Sequence, residues 1–556
     1  MHAFEVIGYA AGALRATEVR AIRGGFIVPA DDKGTWAVRQ VTTHAMLPAE
    51  GGRPPARRGN GARPSGIAQA LAQDRLGVRA VVFYVMTAVA PLTVVAGILP
   101  TAYAVTGLLG LPIACVVVGV ALSIWSVGYV AMARHLPHAG PFYAYVSHGL
   151  GKIPGVGAAW VSILAYNCLT AALHGGIGGY AALLVARHTG VSAPWWIYSL
   201  AAWALVFVLG LCRVDLPGAL LAVLLVIEVV VIAVYDIAFV AAPGPQGFAT
   251  ETLSPANLLH GGVGALLAIA VLGFTGFETT VVFSEESKNP SRTIPTATFV
   301  SIAFITAVYS VSAWAMAVST GSAGIVATAG KHVATGDLLF ALADRHLGRF
   351  LSDVGTYLML TSIFAALLSF HNTTARYAFA LGRERVIPSF FGGTTSLGVP
   401  RVGSMVQSVL GLLFIACYAL IGLDPLVQGF YALGTAGGFG VLILITWSAY
   451  AIFFYFRRHP QPEENAWRTT AAPLLAALLS TCILAVAVLN IDTMLGVPPS
   501  HPLRWLIPLT FFLAALAGMG YGLWLRTARR LIYAAIGMGA KSTTTSVLAA
   551  PRSVAR

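Results

Sequence analysis

Charge is what this 556-residue chain has least of: 10% of its residues are Asp, Glu, Lys or Arg, against 57% that are hydrophobic. That proportion is too low to clothe an ordinary water-facing surface, and a mean hydropathy of +0.79 excludes a conventional soluble domain. Cysteine is scarce as well. The five cysteines, Cys115, Cys168, Cys212, Cys417 and Cys482, show no ligand-like or paired spacing, which leaves them as buried thiols rather than a metal centre or disulfide framework. The sequence contains no HExxH, GxxxxGK[ST] or GxSxG motif, so an enzyme reading finds no foothold and no cofactor is expected. A filter-like repeat or ring-forming charge pattern is missing too, which counts against a channel.

Apolar runs are what the chain has instead. A helix crossing a hydrocarbon core of about 30 Å needs roughly 20 mostly apolar residues, because lipid satisfies no exposed peptide group. Twelve segments meet this requirement, at about 80–104, 109–132, 154–185, 195–212, 216–240, 262–284, 297–320, 351–370, 402–421, 428–456, 471–490 and 503–525. The third and tenth exceed the membrane thickness, and tilt or protrusion is expected of them. The alternating ten-residue segments of a β-barrel do not occur. The expected fold class is therefore an all-α integral membrane protein with 12 transmembrane helices.

The net charge of +13 raises nucleic acid as a partner, and its distribution answers the question. With the amino terminus in the cytoplasm, twelve Lys or Arg fall in loops on that side and five on the other: Arg187, Lys331, Arg345, Arg349 and Arg504. That is the positive-inside bias of a multi-pass protein of the cytoplasmic membrane, with both termini cytoplasmic. Residues 1–78 carry Arg, Gly and Pro in runs such as "EGGRPPARRGNGARPSG" and lack the pattern of a core or a secretory signal. They read as a disordered cytoplasmic extension, with Met46 an internal start candidate. The transporter core is expected at 79–456, two further helices at 457–530 and a cytoplasmic tail at 531–556.

Two spans are interrupted. "AVAPLTVVAGILP" (Ala88 to Pro100) puts Pro91, Gly97 and Pro100 into span one, and "VLGFTGFE" puts Gly273 and Gly276 into span six. Glycine costs about 1 kcal/mol in a helix interior and proline removes a donor. An offset of five helices makes the two spans run oppositely across the bilayer, so spans one to five and six to ten are candidates for an inverted repeat around a central site. Close packing of helices is the alternative use of such small residues.

Two carboxylates inside spans also need a reason. Glu278 lies seven residues before Glu285, about 10 Å along an ideal helix. Glu228 sits in "LLAVLLVIEVVVIAVYD" near the middle of span five. Both are proton-coupling candidates, with hydrogen-bonded anchoring as the structural alternative. Thr361 and Ser362 on span eight keep sodium open as a coupling ion. Tyr166 and Asn167, midway along span three, are candidates for a substrate cavity or for interhelical hydrogen bonds, and His174 faces a neighbouring helix rather than a metal. Arg376, Arg383, Arg385 and Arg401 mark the cytoplasmic face, with anionic lipid as a contact.

Four stretches together resemble the amino acid-polyamine-organocation (APC) superfamily of amino acid permeases: "GFTGFE", "EESKNPSRTIPTA" (Glu285 to Ala297), "RYAFALGRERVIP" (Arg376 to Pro388) and "AGPFYAYVSHGLG" (Ala139 to Gly151). Their order relative to the spans covers roughly residues 75–530. The resemblance implies a five-plus-five inverted repeat with broken helices 1 and 6 and an amino acid bound between them. It places the substrate carboxylate at the backbone of Thr93, Val94, Val95, Ala96 and Gly97, and the ammonium at Leu272, Gly273, Phe274, Thr275 and Gly276, with Leu272 or Phe274 closing over the side chain. Relatives often carry several glycines in the first break, where this chain has Gly97 alone. Some use a lysine on the fifth helix, and no Lys or Arg occurs here between Val214 and Ser287. The function implied is a secondary active transporter of amino acids, proton-coupled or exchanging. An amine or polyamine transporter and a non-transporting amino acid sensor stand as alternatives.

Overall fold

The computed structural model describes residues 21–22, 25–29, 36–40, 71, 76–212, 215–395 and 398–539. The chain divides into two units, Met1–Ser65 and Gly66–Arg556. In the first, three strands, Ala21–Ile22, Gly25–Pro29 and Trp36–Gln40, pair in order as an antiparallel sheet. The sequence assigned no element to these residues. The rest of the stretch read as disordered lies, save for Leu71 and residues 76–78, outside the described residues.

The second unit is helical, apart from a single bridge between Leu76 and Ser287. Eleven helices among the described residues are long and apolar enough to cross a membrane. They match eleven of the twelve expected spans. The remaining segment, expected at 195–212, forms the 16-residue helix Trp195–Gly210, about 24 Å long at 1.5 Å per residue and short of a full crossing by that measure. The two long spans are as expected: span three runs Lys152–Thr189 over 38 residues and span ten Pro425–Arg458 over 34.

Span one is interrupted once, sharply. Helix Val78–Val89 ends at Ala90, whose φ of 51° is left-handed, and a new helix begins at Pro91. The pyrrolidine ring disfavours the helical region for the residue before it and supplies no N–H, so the chain turns at the Ala90–Pro91 bond. Of the three residues expected to interrupt this span, Pro91 stands at the break, while Gly97 and Pro100 do not break the helix. Gly97 instead lies in a π-helical turn, Val94–Ile98, that leads without a break into helix Leu99–Thr106.

Span six breaks where the glycines predict. Helix Val263–Phe274 gives way to an extended Thr275 and to Gly276 at φ 116°, and the chain resumes as a 3-10 helix, Phe277–Glu286. Gly276 meets two demands. Its φ is one that only glycine adopts readily, and a Cβ there would lie 3.0 Å from the backbone of Ala88 and Val89. The two interrupted helices therefore touch backbone to backbone at their breaks.

Around this junction the bundle is tightly filled. Trp125 and Tyr129 of span two stack at 4.2 Å between ring centroids, and Phe277 meets Trp125 edge-on at 5.5 Å. The Trp125 indole donates to Ile445 O of span ten at 3.0 Å. Such aromatic anchors hold the start of the second half of span six while its first half borders open space.

Candidate functional site

A cavity of about 370 Å³ opens at the junction of the two breaks. Ala88, Val89, Ala90, Thr93 and Val94 from span one and Leu272, Gly273 and Thr275 from span six line its floor. It runs from there along Ile98, Thr101 and Val105, away from the end of the bundle that holds Leu76. Its walls are apolar, with the hydroxyls of Thr93, Thr101, Thr275, Tyr431 and Thr435 as the polar exceptions. No charged side chain is among the lining residues.

One of those hydroxyls stands apart. Thr101 Oγ donates to Gly97 O at 2.8 Å, and Tyr431 pairs with Tyr180 at 2.8 Å. Thr93 Oγ1 is buried and has no hydrogen-bond partner. A buried hydroxyl without a partner costs about 1 to 3 kcal/mol, which a ligand in the cavity would relieve.

The residues singled out from sequence separate into groups. Thr93, Val94, Leu272, Gly273 and Thr275 line the cavity, whereas Val95, Ala96 and Gly97 do not. Phe274 is fully buried against Tyr309, with ring centroids 5.5 Å apart, and cannot close over a side chain from there. Gly276 donates its N–H to Glu278 Oε2 at 2.8 Å. Tyr166 and Asn167 also lie outside the lining: Tyr166 donates to Glu278 Oε1 at 3.1 Å, and the Asn167 amide donates to Ile163 O of its own helix at 2.8 Å. His174 is likewise bonded within its helix, to Thr170 O.

Glu278 and Glu228 serve different geometry. Glu278 is 1% exposed and folds back on its own break, held by Gly276 and Tyr166. Glu228 is 3% exposed and reaches from span five to span one, where Leu92 donates its N–H to Oε1 at 2.5 Å; Ser362 Oγ donates to the same atom at 2.9 Å. It thus caps the helix that starts at Pro91, meeting one of the N–H groups that every helix start leaves unsatisfied. A small cavity of about 10 Å³, lined also by Met86, Thr87 and Thr361, adjoins it. This is near the smallest space that holds one water.

At the end of the bundle that holds Leu76, buried ion pairs link separate elements. Arg383 grips Glu285 with two bonds of 2.8 Å, and Arg376 grips Glu286 at 2.7 and 3.2 Å. The expectation of a lipid-facing cluster is corrected for these two arginines: both are buried, while Arg385 and Arg401 are exposed. Fork-to-fork pairing requires the carboxylates of "EESKNP" to face the arginines of "RYAFALGRERVIP". The third stretch joins them, with Ala139 N donating to Glu285 at 3.0 Å and Tyr143 OH to Glu384 at 2.5 Å. Glu384, fully buried, also meets His138 Nε2 at 2.9 Å and receives the N–H groups of Gly537 and Gly539 at 2.7 and 2.6 Å. The segment after span twelve is thereby tied to the same ion-pair cluster, with Ile536 packed among Tyr143, Leu381 and Val386. In the same segment His148 Nε2 donates to Gly537 O at 2.9 Å, and burial holds its imidazole below the usual histidine range against the pull of that bond.

A multi-helix membrane bundle with two broken helices abutting over a neutral cavity is the build of a solute carrier. Residues 76–520 match the family model described as "Amino acid permease", and the chain belongs to that family, within the APC superfamily and among transporters rather than enzymes. It is 25% identical over 339 residues to the low-affinity putrescine importer PlaP of Escherichia coli (strain K12), covering 55% of this chain and 68% of that one. It is 24% identical over 304 residues to the branched-chain amino acid permease BcaP of Bacillus subtilis (strain 168), covering 51% and 62%. A similar match, 24% over 303 residues, joins it to the lysine-specific permease LysP of Lactococcus lactis, covering 51% and 57%.

Proposed function

We propose that the chain moves neutral amino acids with apolar side chains across the cytoplasmic membrane by alternating access, with spans one to five and six to ten acting as inverted repeats. The observation that carries this reading is the uncharged lining of the 370 Å³ cavity at the two breaks. A zwitterion brings both of its charges to backbone. Its carboxylate meets Thr93 and the positive start of the helix at Pro91, and its ammonium meets the carbonyl end of helix Val263–Phe274. A lysine side chain or a diamine would bring a further ammonium into the apolar part, and an unpaired ion there costs several kcal/mol. The buried carboxylates Glu228, Asp236 and Glu278 lie outside the lining.

The position of Glu228 supports coupling to protons. It caps the helix start that also attracts the substrate carboxylate, so two negative charges compete for one positive end. Carrying a proton on Glu228 removes the conflict, and substrate and proton then travel together. Exchange of one amino acid for another uses the same site without net proton movement. The charge bias of the loops supports a cytoplasmic position for the end with the Glu285–Arg383 pair, and on that reading the carrier is closed inside and directed outward.

The test uses purified protein in liposomes, with counterflow of labelled leucine, alanine, lysine and putrescine, with and without an imposed pH gradient. Leucine counterflow accelerated by inward acid, with lysine and putrescine excluded, is the expected result. Putrescine counterflow without leucine would assign the amine reading that the PlaP likeness suggests. Binding of leucine without counterflow would mark a sensor.

A further inference from the structure

The cavity is completed from outside the ten-helix core. Met494, Leu495 and Gly496, which belong to the connection between spans eleven and twelve, are part of its lining. They follow from a short helix, Ile491–Leu495, packed against helix Leu99–Thr106 of span one and helix Val263–Phe274 of span six. The second of these ends at the span-six break, and the first continues the part of span one that begins at Pro91. Ile491 is fully buried and Met494 is 5% exposed, so the segment is seated rather than draped. Gly496 at φ 65° turns the chain beside Val105, and Val497 N closes the turn on Asp492 O at 3.0 Å. Asp492 in turn faces Arg504 at the start of span twelve, 3.5 Å away.

We infer that this segment is the outer wall of the substrate site and that Met494 determines which side-chain sizes it accepts. The inference rests on the apolar amino acid reading. With the zwitterion fixed at the breaks, the substrate side chain points outward into the part of the cavity lined by Leu272, Ile269 and, towards its outer side, Met494. A methionine thioether, unbranched and with three rotatable bonds, fits itself to side chains of different shape. One methylene more or less in an apolar pocket is worth about 10- to 200-fold in discrimination. Bulk at position 494 therefore trades directly against bulk in the substrate. The wall also moves with the cycle, because the two half-helices it touches must shift for the site to open.

Uptake of alanine, valine, leucine and phenylalanine by liposomes carrying wild type, Met494→Ala and Met494→Phe tests this. Relative to wild type, Met494→Phe lowers the phenylalanine-to-alanine ratio of kcat/KM by about tenfold or more and Met494→Ala raises it. Ratios within twofold of wild type for both variants would overturn the inference. A second arm does not depend on substrate. With the five native cysteines replaced, Met494→Cys and Val105→Cys are exposed to a charged, membrane-impermeant thiol reagent. Both label if they share one cavity; labelling at 105 with none at 494 also overturns the wall. Failure of wild type to carry any of the four amino acids refutes the substrate reading instead, and the labelling then decides the wall alone.

Discussion

Glu228 shows how one side chain connects a break to a coupling ion. Its Oε1 takes the Leu92 N–H and the Ser362 hydroxyl, and a glutamine oxygen in the same place accepts both bonds without carrying a proton. Glu228→Gln is therefore expected to keep amino acid binding while losing the acceleration of uptake by an inward pH gradient. Measured uptake at several imposed gradients checks it, and an unchanged gradient dependence would reduce Glu228 to a cap. Gly276 makes the complementary case, where no side chain is tolerated. Gly276→Ala forces a left-handed conformation that costs an L-residue about 1 to 2 kcal/mol and pushes a methyl against Ala88 and Val89. Transport should be abolished and the melting temperature lowered by several degrees. The sequence made Gly276, Glu228 and Glu278 conspicuous. It did not reveal that Glu228 and Leu92, 136 residues apart, share a bond, since no local pattern encodes a contact between spans.

Among the elements, the interrupted helices and the Glu285–Arg383 and Glu286–Arg376 pairs were legible to different degrees. Span six breaks where its paired glycines stand, because glycine conformation is a local property. Span one breaks at Ala90–Pro91, at the first of the three residues expected to interrupt it, because proline outweighs the single glycine at 97. The acidic and arginine-bearing stretches were each recognisable, yet their bidentate pairing became visible only when the fold brought them together. That pairing yields a prediction for the cycle. Glu285→Ala leaves Arg383 buried without its partner, a loss of about 3 to 5 kcal/mol for a buried pair. The closed inner end should be the state that suffers. A cysteine placed on the inner part of span six is expected to react faster with thiol reagents added from that side in Glu285→Ala than in the parent. An unchanged rate would show that the pair does not hold that end closed.

For the whole molecule, the bundle is fastened by the segment after span twelve. Gly537 and Gly539 bond to Glu384, Ile536 is buried beside it, and Lys152 donates to Ala534 O at 2.6 Å. Nothing in the sequence of residues 531–539 signals this, since glycines and small residues near a terminus carry no periodicity. Ending the chain after Ile536 and replacing Glu384 by Ala should each lower the melting temperature. The combined change should cost less than the sum, because both remove the same contacts. Strict additivity would mean that tail and glutamate act separately.

The bare backbone contact between Gly276 and the Ala88–Val89 turn has a bearing on how such carriers are recombined. With no side chain interposed to absorb a mismatch, spans one and six form a matched set, like two keys cut against each other. A chimaera importing span six alone from a relative inherits a surface shaped for another first helix, and exchanging the pair together is the graft that should preserve uptake.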